Sequence, residues 1–152
     1  MYRYQSSPYA DIGTFVKMIK EETSEDLQYL VDDTFSKITL YENKAKSATA
    51  KQNDDGTYDV TFTVEAKKVF SDSLGNQTNA KLNDWLEVGI LGESDLNGEK
   101  IESPILIEKV FITDSLTTFT YNIDQKPIKA GIDPMNKFVD RIVDDNLIKV
   151  EF

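Results

Sequence analysis

The run 58–66 leaves this chain the least choice. Tyr58, Val60, Phe62, Val64 and Ala66 alternate with Asp59, Thr61, Thr63 and Glu65. Successive side chains of an extended backbone point to opposite faces, so this run is a strand with one buried and one wet side. A strand of this kind needs a partner and a cover. Asp55-Gly56 just before it is a hairpin signal and places the partner at about 47–52.

Other segments repeat the pattern. Ile38 and Leu40 open a first strand. Leu86, Val88 and Ile90 share a face, and Asn97-Gly98 marks the next turn. Residues 105–112 (ILIEKVFI) read as a strand buried on both faces. Phe119, Tyr121 and Ile123 alternate with Thr118, Thr120 and Asn122. Ile148, Val150 and Phe152 form a last apolar face, expected to pair inside a sheet because an unpaired apolar edge aggregates.

The first stretch has a different period. Ser7-Pro8 offers a cap and a first-turn proline, and Ile12, Phe15, Val16 and Ile19 then recur at helical spacing. Thr23 with Asp26 resembles a second capping pair, followed by Leu27, Leu30, Val31 and Phe35 on one face. The expected fold is therefore mainly β. It is an antiparallel, Ig-like β-sandwich of about seven strands preceded by two short α-helices. The expected division is a helical segment, 1–36, and a sandwich, 37–152.

The composition excludes several chemistries. The 152 residues include no histidine and no cysteine. No imidazole base, Cys-His pair or His- or Cys-ligated zinc can be assembled from this chain. The formal charge is −10, and no basic patch is interleaved with aromatics, so nucleic acid is set aside as a partner. The same sign disfavours docking on anionic lipid. No apolar stretch is long enough to span a bilayer, which reads as a soluble segment without direct membrane insertion. The start, MYRYQSSP, lacks an apolar signal core and reads as cut from a longer chain.

Carboxylates are the plentiful reactive groups, in the pairs Asp32-Asp33, Asp54-Asp55 and Asp144-Asp145-Asn146. Such pairs serve acid–base chemistry or calcium in some proteins, but turn geometry accounts for Asp and Asn at these places, and no calcium-loop spacing is present. Trp85 at a strand start is either a stacking platform or packing. Gly75-Asn76 and Gly131 read as isolated turn glycines, and Asn76-Gln77-Thr78 is a formal glycosylation sequon. No catalytic, cofactor-binding or metal-ligating residue is assigned.

Several stretches carry a family resemblance: Ser7-Pro8-Tyr9, 27–41 (LQYLVDDTFSKITLY), 58–70 (YDVTFTVEAKKVF), 84–91 (DWLEVGIL) and 129–146 (KAGIDPMNKFVDRIVDDN). Together they resemble the C-terminal end of bacterial membrane-bound aminopeptidases related to aminopeptidase N. In that family an ABC-transporter-permease-like multi-spanning region is fused to a zinc metallopeptidase module. The stretch 129–146 is the most specific, departing at Val143, where family members carry Ser or Pro.

The larger departure is the absence of the family's H-E-x-x-H signature, so no zinc ligand and no catalytic tyrosine carries over. The resemblance implies a non-catalytic C-terminal accessory segment. It would have no cofactor of its own, the family's zinc lying elsewhere in the parent. Its partner would be the rest of that chain, at the extracytoplasmic side of a bacterial inner membrane. An apolar patch near Tyr2, Tyr4, Phe15 or Val16 would be left for the parent to cover. The alternative is an independent extracytoplasmic module binding peptide, carbohydrate or protein, favoured by a concave face with exposed aromatics. A carboxylate-only glycosidase, needing two carboxyls across a cleft, ranks last.

Overall fold

The computed structural model describes Tyr9 and residues 11–152. It is mainly β, with two short helices followed by antiparallel sheets stacked as a sandwich. The helices are α1 (Ile12–Glu22) and α2 (Gln28–Phe35), joined by a 3-10 turn at Glu25–Leu27. Ten strands follow among the described residues: β1 (Ile38–Tyr41), β2 (Lys44–Gln52), β3 (Tyr58–Glu65), β4 (Lys68–Ser71), β5 (Gln77–Asn79), β6 (Asp84–Leu96), β7 (Glu99–Ile112), β8 (Leu116–Ile123), β9 (Pro127–Ile132) and β10 (Leu147–Lys149). The three beyond the expected seven are β4, β5 and β9, each short or interrupted by lysine and glycine.

The strands form three antiparallel sheets, ordered β2-β3-β8, β10-β9-β6-β7 and β1-β4-β5. The first two face each other. Val60, Phe62 and Val64 of β3 meet Leu86, Val88 and Ile90 of β6 and Ala130 and Ile132 of β9 in one buried cluster. The third sheet continues the β2–β3 hairpin. Backbone bonds between Glu42 and Lys67, at 2.8 and 3.1 Å, carry the ladder from Lys44/Glu65 into Tyr41/Lys68.

The expected hairpin is present, with Gln52 opposite Tyr58. Asn97 and Gly98 both have positive φ (57° and 87°), the backbone twist a two-residue hairpin turn requires. The C-terminus pairs, as the outermost strand of its sheet. β10 lies against β9, and Glu151 then crosses to β2, bonding Ala50 N–H (2.7 Å) and Ala48 carbonyl (2.9 Å). This crossing stitches the two sheets along one flank. It also breaks the expected shared face, because Val150 is buried while Ile148 and Phe152 face water.

Three other expectations change. Residues 105–112 are not buried on both faces. They belong to β7, an outermost strand whose Ile107 and Phe111 point to solvent, and only Ile112 of it is buried. Thr23 closes α1 rather than capping α2: its hydroxyl donates to the Ile19 carbonyl at 2.7 Å. The proposed cap Ser7-Pro8 lies outside the described residues. The helix α1 starts at Ile12, with the Asp11 carboxylate accepting from Thr14 N–H at 2.7 Å. Gly131 is no turn glycine. It sits buried in β9, where a Cβ would lie 2.0 Å from the Asn146 carbonyl oxygen.

That close approach generates a prediction. Gly131→Ala must push the 143–146 segment off β9, at a cost of about 1–3 kcal/mol. Urea denaturation should show a lower midpoint with an unchanged slope. An unaltered midpoint would mean the segment yields freely.

Candidate functional site

The chemistry-bearing side chains concentrate where the helices meet the sandwich. Asp33, in the last turn of α2, and Asp84, the first residue of β6, both reach Lys68 of β4; each Nζ–O distance is 2.9 Å. All three side chains are at least nine-tenths buried. The Tyr41 hydroxyl of β1 donates to the same Asp84 oxygen at 3.0 Å. Lys37, half-exposed, donates to the other Asp33 oxygen at 3.0 Å, so two cations balance two carboxylates. Tyr29 of α2 adds a second tether by accepting from Trp85 N–H at 3.1 Å.

This arrangement follows from alternation. Lys68 continues the inward phase of Val64 and Ala66, and Asp84 precedes Leu86, Val88 and Ile90 in the same phase. Both strands therefore aim a charge into the interior, and the opposite signs meet. Burial alone would lower the Lys68 pKa, but the hydrogen bonds and charges of Asp84 and Asp33 outweigh it and hold the ammonium above its ordinary 10.5. Burial and the Asp84 carboxylate push the Tyr41 phenol far up, so it stays protonated. Neither group is poised as a base or nucleophile at neutral pH. The cluster clamps α2 to the sandwich.

A cleft of about 410 Å³ opens beside the clamp, between α2, β1 and residues 137–139. Leu30, Ile38, Leu40, Phe138 and Val139 wall it, and Asp33, Lys37 and Tyr41 supply its polar floor and lip. A second cleft, rimmed by charged side chains, lies between Lys44, Lys67, Asp140, Arg141, Ile142 and Asp145. At its base the carboxamide of Asn43 is buried, and neither its oxygen nor its nitrogen has a partner among the described residues.

The carboxylates named from sequence go to different partners. Asp33 enters the clamp, while its neighbour Asp32 pairs outside with Lys20. Asp55 accepts from Thr57 N–H (3.0 Å) and hydroxyl (2.7 Å) and shapes the hairpin turn. Asp145 pairs with Lys44 at 3.0 Å, and the Asn146 carbonyl accepts from Ile132 N–H at 2.9 Å. Asn76 of the sequon donates to Asp72 at 2.8 Å. Trp85 lies on the outer face of β6 against Phe111, ring centroids 5.2 Å apart. The solvent face of β2-β3-β8 is a threonine lattice, with Thr61–Thr120 and Thr63–Thr118 hydroxyls 2.9 and 2.8 Å apart. Sequence reasoning passed over Lys68, Asp84 and Tyr41. The signal that would have found them is a charged residue in the inward phase of a strand.

No family model, curated protein or solved structure matches the chain. No helix among the described residues is long and apolar enough to cross a membrane.

The clamp makes two testable statements. Lys68→Met leaves two buried carboxylates facing each other and should cost about 3–5 kcal/mol, roughly 10 °C in melting temperature. The Lys68 pKa is higher folded than unfolded, so its contribution is complete below about 10.5 and is lost as pH rises through the folded value. Stability measured by urea from pH 8 to 12 should fall more steeply at the alkaline end in the native chain than in Lys68→Met. Parallel curves would show that Lys68 is not held charged.

Proposed function

We propose that this chain is a non-catalytic accessory domain of a membrane-anchored, zinc aminopeptidase-like protein, bracing the peptidase module or engaging a partner at the extracytoplasmic side of a bacterial membrane. The observation that carries the reading is the state of α1. Its apolar stripe at Ile12, Phe15, Val16 and Ile19 fully buries no residue, and Ile12 remains 71% exposed. An amphipathic helix that finds no full cover among the described residues is suited to packing against a further helical layer. Phe15 takes part in a half-exposed pair with Phe35, ring centroids 5.8 Å apart. Val16 is half-buried, and Tyr2 and Tyr4 lie outside the described residues. The clamp at Lys68 fits a bracing role, since it fixes the direction in which the helices leave the sandwich.

The alternative, an independent binding module, draws support from the apolar cleft beside α2. The threonine lattice on the opposite side offers no aromatic platform and favours the scaffold reading.

The test has two arms. Purified chain incubated with zinc and aminoacyl p-nitroanilides should release no nitroaniline above buffer; robust turnover by clean protein would overturn the proposal. The reading frame preceding this segment in its genome should encode H-E-x-x-H and a set of apolar spans, and a frame without them would leave the binding-module reading in its place.

A further inference from the structure

The two flanks of the sandwich differ. On one, Glu151 joins β10 to β2 and closes the gap between sheets. On the other, β7 is the last strand of its sheet and pairs with β6 alone. Among the described residues, no backbone hydrogen bond from another element reaches 99–112. The upstream part of this edge is spoiled for pairing. Pro104 has no N–H, and a register shift inserts Ile105 as an extra residue. Residues 106–112 beyond it form a regular free edge.

The outer face along that edge is apolar. Trp85 (36% exposed), Ile107 (39%) and Phe111 (50%) lie on it. At Gly89, opposite Ile107, Pro134 roofs the face, so close that a Cβ there would sit 2.8 Å from the proline Cγ, and the row of exposed apolar side chains runs along β7 and Trp85. Lys109 interrupts the row on β7, and the Glu87–Lys137 ion pair lies beside it on the same face. Lys109 stands between Ile107 and Phe111 with its Nζ 5.4 Å from the Trp85 ring centroid, and it forms no ion pair among the described residues. Its cross-strand neighbour Glu87 is committed to Lys137 at 2.5 Å.

We propose that residues 106–112 of β7 are a strand-addition site for an extended peptide segment of a protein partner, with apolar residues at alternate positions and a carboxylate between them. The main-chain groups of the edge supply the ladder; Ile107 and Phe111 receive the two apolar side chains, and Lys109 receives the acid. A second copy of this chain fits the edge less well. Antiparallel self-pairing about the centre of the segment sets Glu108 against Glu108 or Lys109 against Lys109, and like charges directly opposite are destabilising. This edge acts in the same way whatever larger protein carries the domain.

Trp85 is the chain's one tryptophan and sits on the patch, so its emission reports occupancy directly. The probe is the synthetic peptide acetyl-Thr-Val-Thr-Asp-Thr-Val-Thr-amide, titrated into the full chain. The expected result is a saturable blue shift together with slowed amide exchange at alternate residues of 106–112. The peptide N-methylated at alternate residues, made in both phases, should lose binding in one phase. Lys109→Glu, an exposed substitution, should bind the aspartate peptide about tenfold more weakly and favour the version with lysine in place of aspartate.

Three outcomes overturn the proposal. One is no emission change up to millimolar peptide. The second is a Trp85 response without β7 protection, which means the peptide only stacks on the face. The third is a dimer in sedimentation whose β7 amides are already protected without peptide, which assigns the edge to a second copy.

Discussion

Lys68 is a cation placed where a strand should deliver an apolar side chain, and the rest of the molecule is arranged around that exception. An ammonium in the interior is tolerable only with partners of opposite charge, and the chain brings two from distant points, Asp33 from α2 and Asp84 from β6. Tyr41 fills a remaining acceptor position, and Lys37 restores the charge balance. The consequence is directional. An apolar seam between helix and sheet allows sliding, whereas a hydrogen-bonded charge triad has one geometry. The helical segment is therefore held at a fixed angle on the end of the sandwich, with one apolar stripe still open to solvent.

The sandwich itself relies on less specific forces. Its interior is a closely packed set of Val, Ile, Leu, Ala and Phe62, drawn from facing strands whose alternate residues turn inward. What gives it shape is the unequal treatment of its edges. The C-terminal residues lace one side shut, while on the other side no strand pairs beyond the long β6–β7 hairpin among the described residues. This open side also carries the exposed Trp85 and Phe111, so backbone valence and apolar surface coincide there.

Much of this was legible beforehand. Strict alternation at 58–66 and at Leu86, Val88 and Ile90 identified the core strands, because period two admits no other buried arrangement. The hairpin turns at Asp55-Gly56 and Asn97-Gly98 were legible because positive φ restricts the residues that can stand there. Residues 105–112 misled because a strand apolar on both sides looks the same in sequence whether it is central or outermost; position in the sheet depends on strand order, which local pattern does not encode. The Thr23 assignment failed for a related reason. Thr23 can cap forward or bond backward to Ile19, and the direction of the following chain decides between them. The clamp was legible in part. Lys68 and Asp84 each kept the inward phase of their strands, yet nothing in either strand named the other, and Asp33 read as an ordinary helix-end carboxylate.

The sequence by itself determined the class, mainly β behind two helices, because periodicity is a local property of the chain, and it determined the absence of imidazole and thiol chemistry, because composition does not depend on folding. Tertiary structure alone decided which charges became buried partners, which strand was left at the edge, and which face of α1 stayed uncovered. Each of those is a relation between residues far apart in the chain, set by sheet order and by the pairing of opposite charges across more than one element.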